Sequence, residues 1–148
     1  MNKKLFIYYS ETGNGDIVAD YYKNKEYDIE KIESKKLPKL MFFQMMVGGF
    51  RAAAGIKPKI SELTKDINNY DEIIIGSPIW FDRLCAPIRT LLSKYDLTNK
   101  KITFVLYSGG GTAEAATEFI NANYPEAKVI VLKQPKNNID QMEKELSK

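Results

Sequence analysis

Residues 10–15 have a composition suited to holding an anion, with two hydroxyl side chains and two glycines between an apolar run and an amphipathic run. We expect this segment to join a strand to a helix N-terminus, where backbone N–H groups converge and the helix dipole favours negative charge. No lysine lies within it, so it is not a P-loop, and phosphate would be bound by neutral donors. The alternative is a strand–helix turn capped by Thr12 or Asn14. The candidate binding residues here are Ser10, Glu11, Thr12, Gly13, Asn14 and Gly15.

Two later segments, residues 77–82 and 108–111, could complete a binding site. The first holds the chain's one tryptophan, Trp80, whose flat ring is suited to stacking on a planar ligand. The second holds three consecutive glycines, which let the backbone approach a ligand closely. The alternatives are a core or lid tryptophan and a flexible turn. The candidate residues are Ser77, Pro78, Ile79, Trp80, Phe81 and Asp82 in the first segment and Ser108, Gly109, Gly110 and Gly111 in the second.

Strands that alternate with helices would bring the three segments together. Short apolar, β-rich runs predict strands over residues 4–9, 27–32, 72–76, 102–107 and 128–132. Helical spacing predicts helices over residues 16–24, 85–95, 112–124 and 138–146. This alternation is typical of a doubly wound α/β domain with a five-stranded parallel sheet of order 2-1-3-4-5. In such sheets ligands bind beyond the carboxyl ends of the strands, where all three segments would lie.

Composition excludes several classes of protein. The 148 residues predict one domain, residues 1–148, and 44% apolar with 28% charged residues is typical of a globular protein. The formal net charge of +3 is too small to indicate nucleic-acid binding. The chain has no histidine and one cysteine, Cys85, which excludes histidine-based triads and internal disulfides and predicts no metal site. The single cysteine fits a reducing, cytoplasmic location. No membrane insertion is expected, since no apolar run approaches the roughly 20 residues that span a bilayer.

The sequence around these segments resembles that of flavodoxins. Residues 9–14 (YSETGN) are similar to the family's phosphate loop. Residues 75–81 (IGSPIWF), followed by 86–89 (APIR), are similar to the second flavin loop of one subgroup. Residues 108–111 (SGGG) are similar to the third flavin loop of that subgroup. The resemblance covers nearly the whole chain and implies a flavodoxin-like three-layer sandwich. It also implies non-covalent FMN, with the phosphate in the first loop and the isoalloxazine between the second and third.

Three features depart from the family pattern. A threonine usually stands where this chain has Gly15, so one hydroxyl directed at the phosphate is missing. The tyrosine that often covers the flavin from the third loop is absent, and Tyr107, just before that loop, is expected to point into the sheet. Flavodoxins are also usually strongly acidic, and this chain is not.

The resemblance implies an electron-transfer protein that works with a redox partner protein or a small-molecule electron donor or acceptor. It names no catalytic residue, because the flavin itself performs the electron chemistry. An NAD(P)H-dependent FMN quinone reductase and a binding module that has lost FMN remain alternatives. A receiver domain is disfavoured because no phosphoacceptor aspartate follows the third strand. A low-molecular-weight tyrosine phosphatase is disfavoured because Arg89 follows Cys85 by four positions instead of six.

Residues 34–61 form a basic insert between the second and third predicted strands. Its basic residues are Lys35, Lys36, Lys39, Arg51, Lys57 and Lys59, and it contains no acidic residue. Leu40, Phe43, Val47 and Phe50 have helical spacing. One interpretation is a helix packed on the sheet with solvated lysines. The other is a helix over the open side of the flavin, whose lysines attract an acidic redox partner or NADPH.

Overall fold

The computed structural model describes residues 3–34 and 58–148. In this part of the chain one mixed sheet lies between two layers of helices. The strands are β1 (Lys4–Tyr8), β2 (Asp28–Lys31), β3 (Glu72–Trp80), β4 (Arg83–Leu84), β5 (Lys101–Ser108) and β6 (Lys128–Lys133). The helices are α1 (Asn14–Asn24), α2 (Ala86–Lys94), α3 (Glu114–Asn123) and α4 (Ile139–Leu146), with short 3₁₀ turns at Ile67–Asn69 and Pro135–Asn137.

The sheet has the predicted order. Its parallel strands run β2-β1-β3-β5-β6, and the two-residue β4 pairs antiparallel with the end of β3. The register places Tyr8 of β1 opposite Gly76 of β3. Beyond that point β3 continues beside β5, where Pro78 lies opposite Tyr107. The flavodoxin-like arrangement of five parallel strands between two helical layers is therefore confirmed.

The continuous apolar runs arise because the central strands are buried on both faces. Leu5 and Ile7 of β1 belong to a core cluster that includes α2 and α3 residues such as Leu91 and Ile120. Phe6 of β1 belongs to the opposite cluster, under α1 and α4. The alternation of side chains along each strand thus fills both cores and fixes the register.

The end of β3 differs from the sequence prediction. The sequence predicts a strand that stops at Gly76 and a loop over residues 77–82, whereas β3 continues to Trp80 and forms a hairpin with β4. The apolar run ends at Gly76, and proline at position 78 is disfavoured inside a strand. However, β1 pairs with β3 only as far as Gly76, so Pro78 lies where one side of β3 is an edge, and edges tolerate proline. The turn is made by Phe81 and Asp82, with φ of 52° and 65°.

Most of the basic insert lies outside the described residues, and so do its predicted helix and the alternatives for it. Its two described ends meet, since Ser34 forms an antiparallel bridge with Ile60. The Ser61 N–H donates to the Glu33 carbonyl at 2.8 Å, and the Thr90 hydroxyl donates to the Pro58 carbonyl at 3.0 Å. No helix in residues 3–34 and 58–148 is both long and apolar enough to cross a membrane.

Candidate functional site

The carboxyl ends of β1, β3 and β5 bring the three sequence-predicted segments to one edge of the sheet. The first segment connects β1 to α1, the second contains the β3–β4 turn, and the third connects β5 to α3. The described residues contain no cluster of acidic or cysteine side chains suited to a metal ion.

The first loop is organised around the Ser10 hydroxyl. Its Oγ accepts hydrogen bonds from the N–H groups of Gly13 and Gly15 at 3.2 and 3.1 Å. The Thr12 hydroxyl accepts a long bond from the Asn14 amide at 3.4 Å. The N-cap residue of α1 is Gly13, and Ser10, rather than Thr12 or Asn14, accepts an N–H of the first helical turn. Because these contacts use lone pairs, both hydroxyl protons can still donate to an anion.

Gly15 is enclosed by three other side chains. A Cβ added there would lie 2.6 Å from the Tyr107 hydroxyl and 2.8 Å from both Ser10 Cβ and Tyr8 Cδ2. The Tyr107 ring points inward, as predicted, and is buried in the cluster beneath α1 and α4. Its hydroxyl donates to the Tyr9 carbonyl. Burial raises the pKa of this phenol well above its ordinary value. Tyr107, Ser10 and Tyr8 thus fill the space that a larger side chain at position 15 would need.

The side chain of Ser77, the first candidate of the second segment, is used inside the protein. Ser77 is fully buried, and its hydroxyl donates to the Pro78 carbonyl at 2.8 Å and accepts from the Cys85 N–H at 3.1 Å. Burial also raises the pKa of the Cys85 thiol to about 12. Ser77 and Cys85 therefore join the hairpin to the start of α2, and neither side chain is exposed at the sheet edge.

The hairpin presents aromatic surface at the sheet edge. Trp80 is half-buried and meets the Tyr9 ring edge-on, with ring centroids 6.0 Å apart and an interplanar angle of 86°. Phe81 is 43% exposed at the turn. The ends of β1 and β3 therefore present two perpendicular aromatic rings, against which a flat ligand ring could stack.

Asp82 connects the hairpin to α3. Its carboxylate accepts the Ala115 N–H at 3.0 Å, and its carbonyl accepts the Ala116 N–H at 2.9 Å. These N–H groups belong to the first turn of the helix, where no intrahelical acceptor exists, and negative charge is favoured there. The Asp82 side chain, predicted as a binding residue, joins the second segment to the start of α3.

The third loop exposes its backbone. The Ser108 hydroxyl turns inward and donates to the Thr112 carbonyl at 2.7 Å. A Cβ added at Gly109 or Gly110 would meet nothing within 4 Å, whereas Gly111 has a φ of 83° beside Lys133. Gly109 and Gly110 are thus the part of this segment that a ligand can approach closely.

The sequence interpretation missed a fourth connection, which joins β6 to α4. The Gln134 side chain donates to the Gly109 carbonyl at 2.9 Å, so this turn contacts the third loop. The Lys136 N–H donates to Asn14 Oδ1 at 3.0 Å, and the Lys136 ammonium donates to the Thr12 carbonyl at 3.2 Å. A cation therefore stands beside a loop expected to have only neutral donors. The available signal was positional, since β6 also ends at the carboxyl edge of the parallel sheet.

Asp16 makes the first turn of α1 acidic. Its carboxylate accepts the Tyr8 hydroxyl at 2.7 Å and the Lys31 ammonium at 3.0 Å. Burial alone would raise the pKa of this carboxyl, but these two hydrogen bonds outweigh it and lower the pKa below its ordinary value. The charge of Asp16 is therefore turned toward β1 and β2.

Comparisons with known proteins agree with this architecture. A flavoprotein from Lactobacillus acidophilus NCFM, solved in complex with FMN, is 26% identical, with a TM-score of 0.64 over 95% of this chain and 98% of that one. The NMR structure of the apo-form of the flavoprotein from that organism is 24% identical, with a TM-score of 0.60 over 88% and 89% of the two chains. A proposed flavoprotein from Bacteroides eggerthii DSM 20697 is 20% identical, with a TM-score of 0.73 over 100% of both chains. At these last two identities the likeness shows the fold alone.

No curated protein matches the sequence. The flavodoxin family model matches residues 51–147, which is more than half of the chain. With the fold and the loop arrangement in agreement, this match shows that the chain belongs to the flavodoxin family.

Proposed function

We propose that this chain binds FMN non-covalently and works as an electron-transfer protein. The observation that carries the proposal is the first loop, where two hydroxyls keep their protons free at a helix N-terminus, one strand away from Trp80 and near open glycine backbone. Membership of the flavodoxin family and the FMN complex of the Lactobacillus acidophilus flavoprotein support the same cofactor.

The phosphate end would be held by Ser10 and Thr12. Each hydroxyl has one proton to donate, and Gly13, with its φ of 95°, lets the chain turn tightly into α1. Glu11 is bonded to the Tyr9 hydroxyl at 3.0 Å, so its contribution to binding would be through its backbone. Negative charge at this position is further stabilised by the dipole of α1.

The ring end would be held by Trp80 and by the backbone of the third loop. FMN supplies the electron chemistry when bound, and the chain supplies orientation and electrostatics. Trp80 would cover one face of the ring system, and the polar backbone groups of Gly109 and Gly110 would border it. Pro78 and Ile79 would act by placing Trp80 at the end of β3.

Electron transfer by this chain would need no side chain for acid–base catalysis. The chain has no histidine, and its one thiol is fully buried with a raised pKa. The physiological partner would be a redox protein or a small-molecule electron donor or acceptor. A buried, reduced cysteine also suits the cytoplasm.

The test is a fluorescence titration of the flavin-free protein with FMN, followed by an absorption spectrum of the complex. Thr12→Ala should weaken FMN binding about tenfold or more, because a hydroxyl bonded to a charged group contributes roughly 1.5–3 kcal/mol. Ser93→Ala, on the exposed surface of α2, is the matched control and should bind normally.

Absence of FMN binding by the wild-type protein would refute the proposal. If the holoprotein steadily oxidised NAD(P)H with a quinone as acceptor, the electron-transfer assignment would be replaced by a reductase.

A further inference from the structure

Lys136 is held beside the first loop by contacts that involve both its backbone and its side chain. Its N–H donates to Asn14 Oδ1 at 3.0 Å, and its ammonium donates to the Thr12 carbonyl at 3.2 Å. The stem of the side chain also approaches Gly13, where an added Cβ would lie 3.7 Å from Lys136 Cδ. The lysine therefore follows the surface of the loop over three consecutive residues.

The turn that carries Lys136 is itself fixed. Gln134 has a φ of 39°, which non-glycine residues seldom adopt, and its N–H donates to the Ser108 carbonyl at 3.0 Å. Pro135 is buried, and the Asn138 amide donates to the Lys133 carbonyl at 3.0 Å. The position of Lys136 is thus determined by the third loop on one side and the first loop on the other.

The ammonium retains capacity for an anion. It has three donor protons, and in the described part of the chain it bonds to one carbonyl and to no carboxylate. The Asp16 carboxylate in the first turn of α1 is already bonded to Tyr8 and Lys31. A phosphate monoester carries about 1.5 to 2 negative charges at neutral pH, so it can accept charge-assisted hydrogen bonds from the exposed Lys136 ammonium.

We propose that Lys136 is a phosphate-binding residue of this chain and makes it selective for FMN over unphosphorylated riboflavin. The inference rests on the proposed function, because it assumes that the first loop holds the phosphate of FMN. Asn14 then acts as a positioning residue, since its side chain is directed at the Lys136 backbone and at Thr12.

The experiment compares the dissociation constants of FMN and riboflavin for the wild-type protein, Lys136→Gln and Lys136→Arg. Lys136→Gln should weaken FMN binding about tenfold and leave riboflavin binding within about twofold, because only FMN carries the charge. Lys136→Arg should retain most of the FMN affinity. The affinity of the wild-type protein for FMN should also fall more steeply with salt than that of Lys136→Gln.

Lys128→Gln is the matched control. It removes the same charge from the other end of the β6 strand, where the ammonium bonds the Lys148 carbonyl at 3.2 Å, and both ligands should bind it normally. Equal losses of FMN and riboflavin affinity in Lys136→Gln would show that Lys136 only holds the first loop in place, and this result would overturn the proposal. An unchanged FMN affinity would overturn it as well. If the wild-type protein bound riboflavin but gained nothing from the phosphate, this inference would fail while flavin binding remained; if it bound neither flavin, the proposed function would fail too.

Discussion

The exchange of Gly15 for alanine isolates the steric cost of the contact between α1 and Tyr107. The added methyl group would lie 2.6 Å from the Tyr107 hydroxyl and 2.8 Å from Ser10 Cβ and Tyr8 Cδ2. Two of these neighbours are β-strand residues with buried rings, and the third, Ser10, accepts the N–H of Gly15 itself. None of the three is the free end of a flexible side chain, so the backbone of α1 would have to move.

The expected magnitude follows from three opposing effects. Alanine would favour a helix by up to about 1 kcal/mol over glycine. Overpacking of a buried site costs about 1–3 kcal/mol. Displacement of the Tyr107 hydroxyl from the Tyr9 carbonyl costs about 1–3 kcal/mol more, because a buried donor loses its acceptor. The net destabilisation should be about 1–5 kcal/mol, which is a fall in Tm of about 2–20 °C for a domain of this size.

The assay is thermal and urea unfolding of the flavin-free protein, so that cofactor affinity does not enter. Gly109→Ala is the matched control, since a Cβ there meets nothing within 4 Å, and its stability should change by less than about 0.5 kcal/mol. In the Gly15→Ala background, Tyr107→Phe should recover part of the loss, because it removes the nearest atom. A Gly15→Ala protein as stable as the wild type would refute the reasoning.

Four further outcomes are expected. Trp80→Ala should weaken FMN binding about tenfold, because it removes the ring that would stack on the flavin. In the wild-type protein, FMN should quench the tryptophan fluorescence. An unquenched signal would contradict the stacking. Asp82→Ala should lower the free energy of unfolding by about 1 kcal/mol through loss of the α3 cap, as measured by urea unfolding, and equal stability would exclude the capping role. Cys85 should not react with a thiol reagent at pH 8 until the protein unfolds, because it is fully buried with a pKa near 12. The lowered pKa of the Asp16 carboxyl contributes stability that is present above its ordinary pKa of 3.8 and is lost as the pH falls through the folded-state pKa. Asp16→Asn should therefore make the free energy of unfolding depend less on pH on the acid side. An unaltered pH dependence would count against this assignment.

The sequence was sufficient for the sheet order and for which loops lie at the binding edge. Buried parallel strands have continuous apolar runs, and those of β1, β3 and β5 were recognisable from Leu5, Ile74 and Phe104 with their neighbours. Once strands alternate with helices, chain connectivity leaves few arrangements. The relative position of the loops then follows from topology, without knowledge of any side-chain contact.

What the sequence did not provide depends on long-range contacts. The hairpin after Pro78 required knowing that β1 ends at Tyr8, opposite Gly76. The position of Lys136 depends on a turn more than one hundred residues after the first loop, and no local pattern connects the two. The individual binding contacts proposed for the three loops stay predictions.

The Tyr107–Gly15 contact also constrains how this loop can change during evolution. A threonine at position 15 would provide the hydroxyl that is typical of flavodoxins, yet it cannot be accepted while Tyr107 fills that space. Loss of the tyrosine first would leave the Tyr9 carbonyl without its donor and open a cavity under the loop. Each single step is therefore unfavourable, and even the two together would require Ser10 and Tyr8, each 2.8 Å from the added Cβ, to shift. We expect relatives to divide into two groups, with glycine and tyrosine inherited together in one and threonine with a smaller residue in the other.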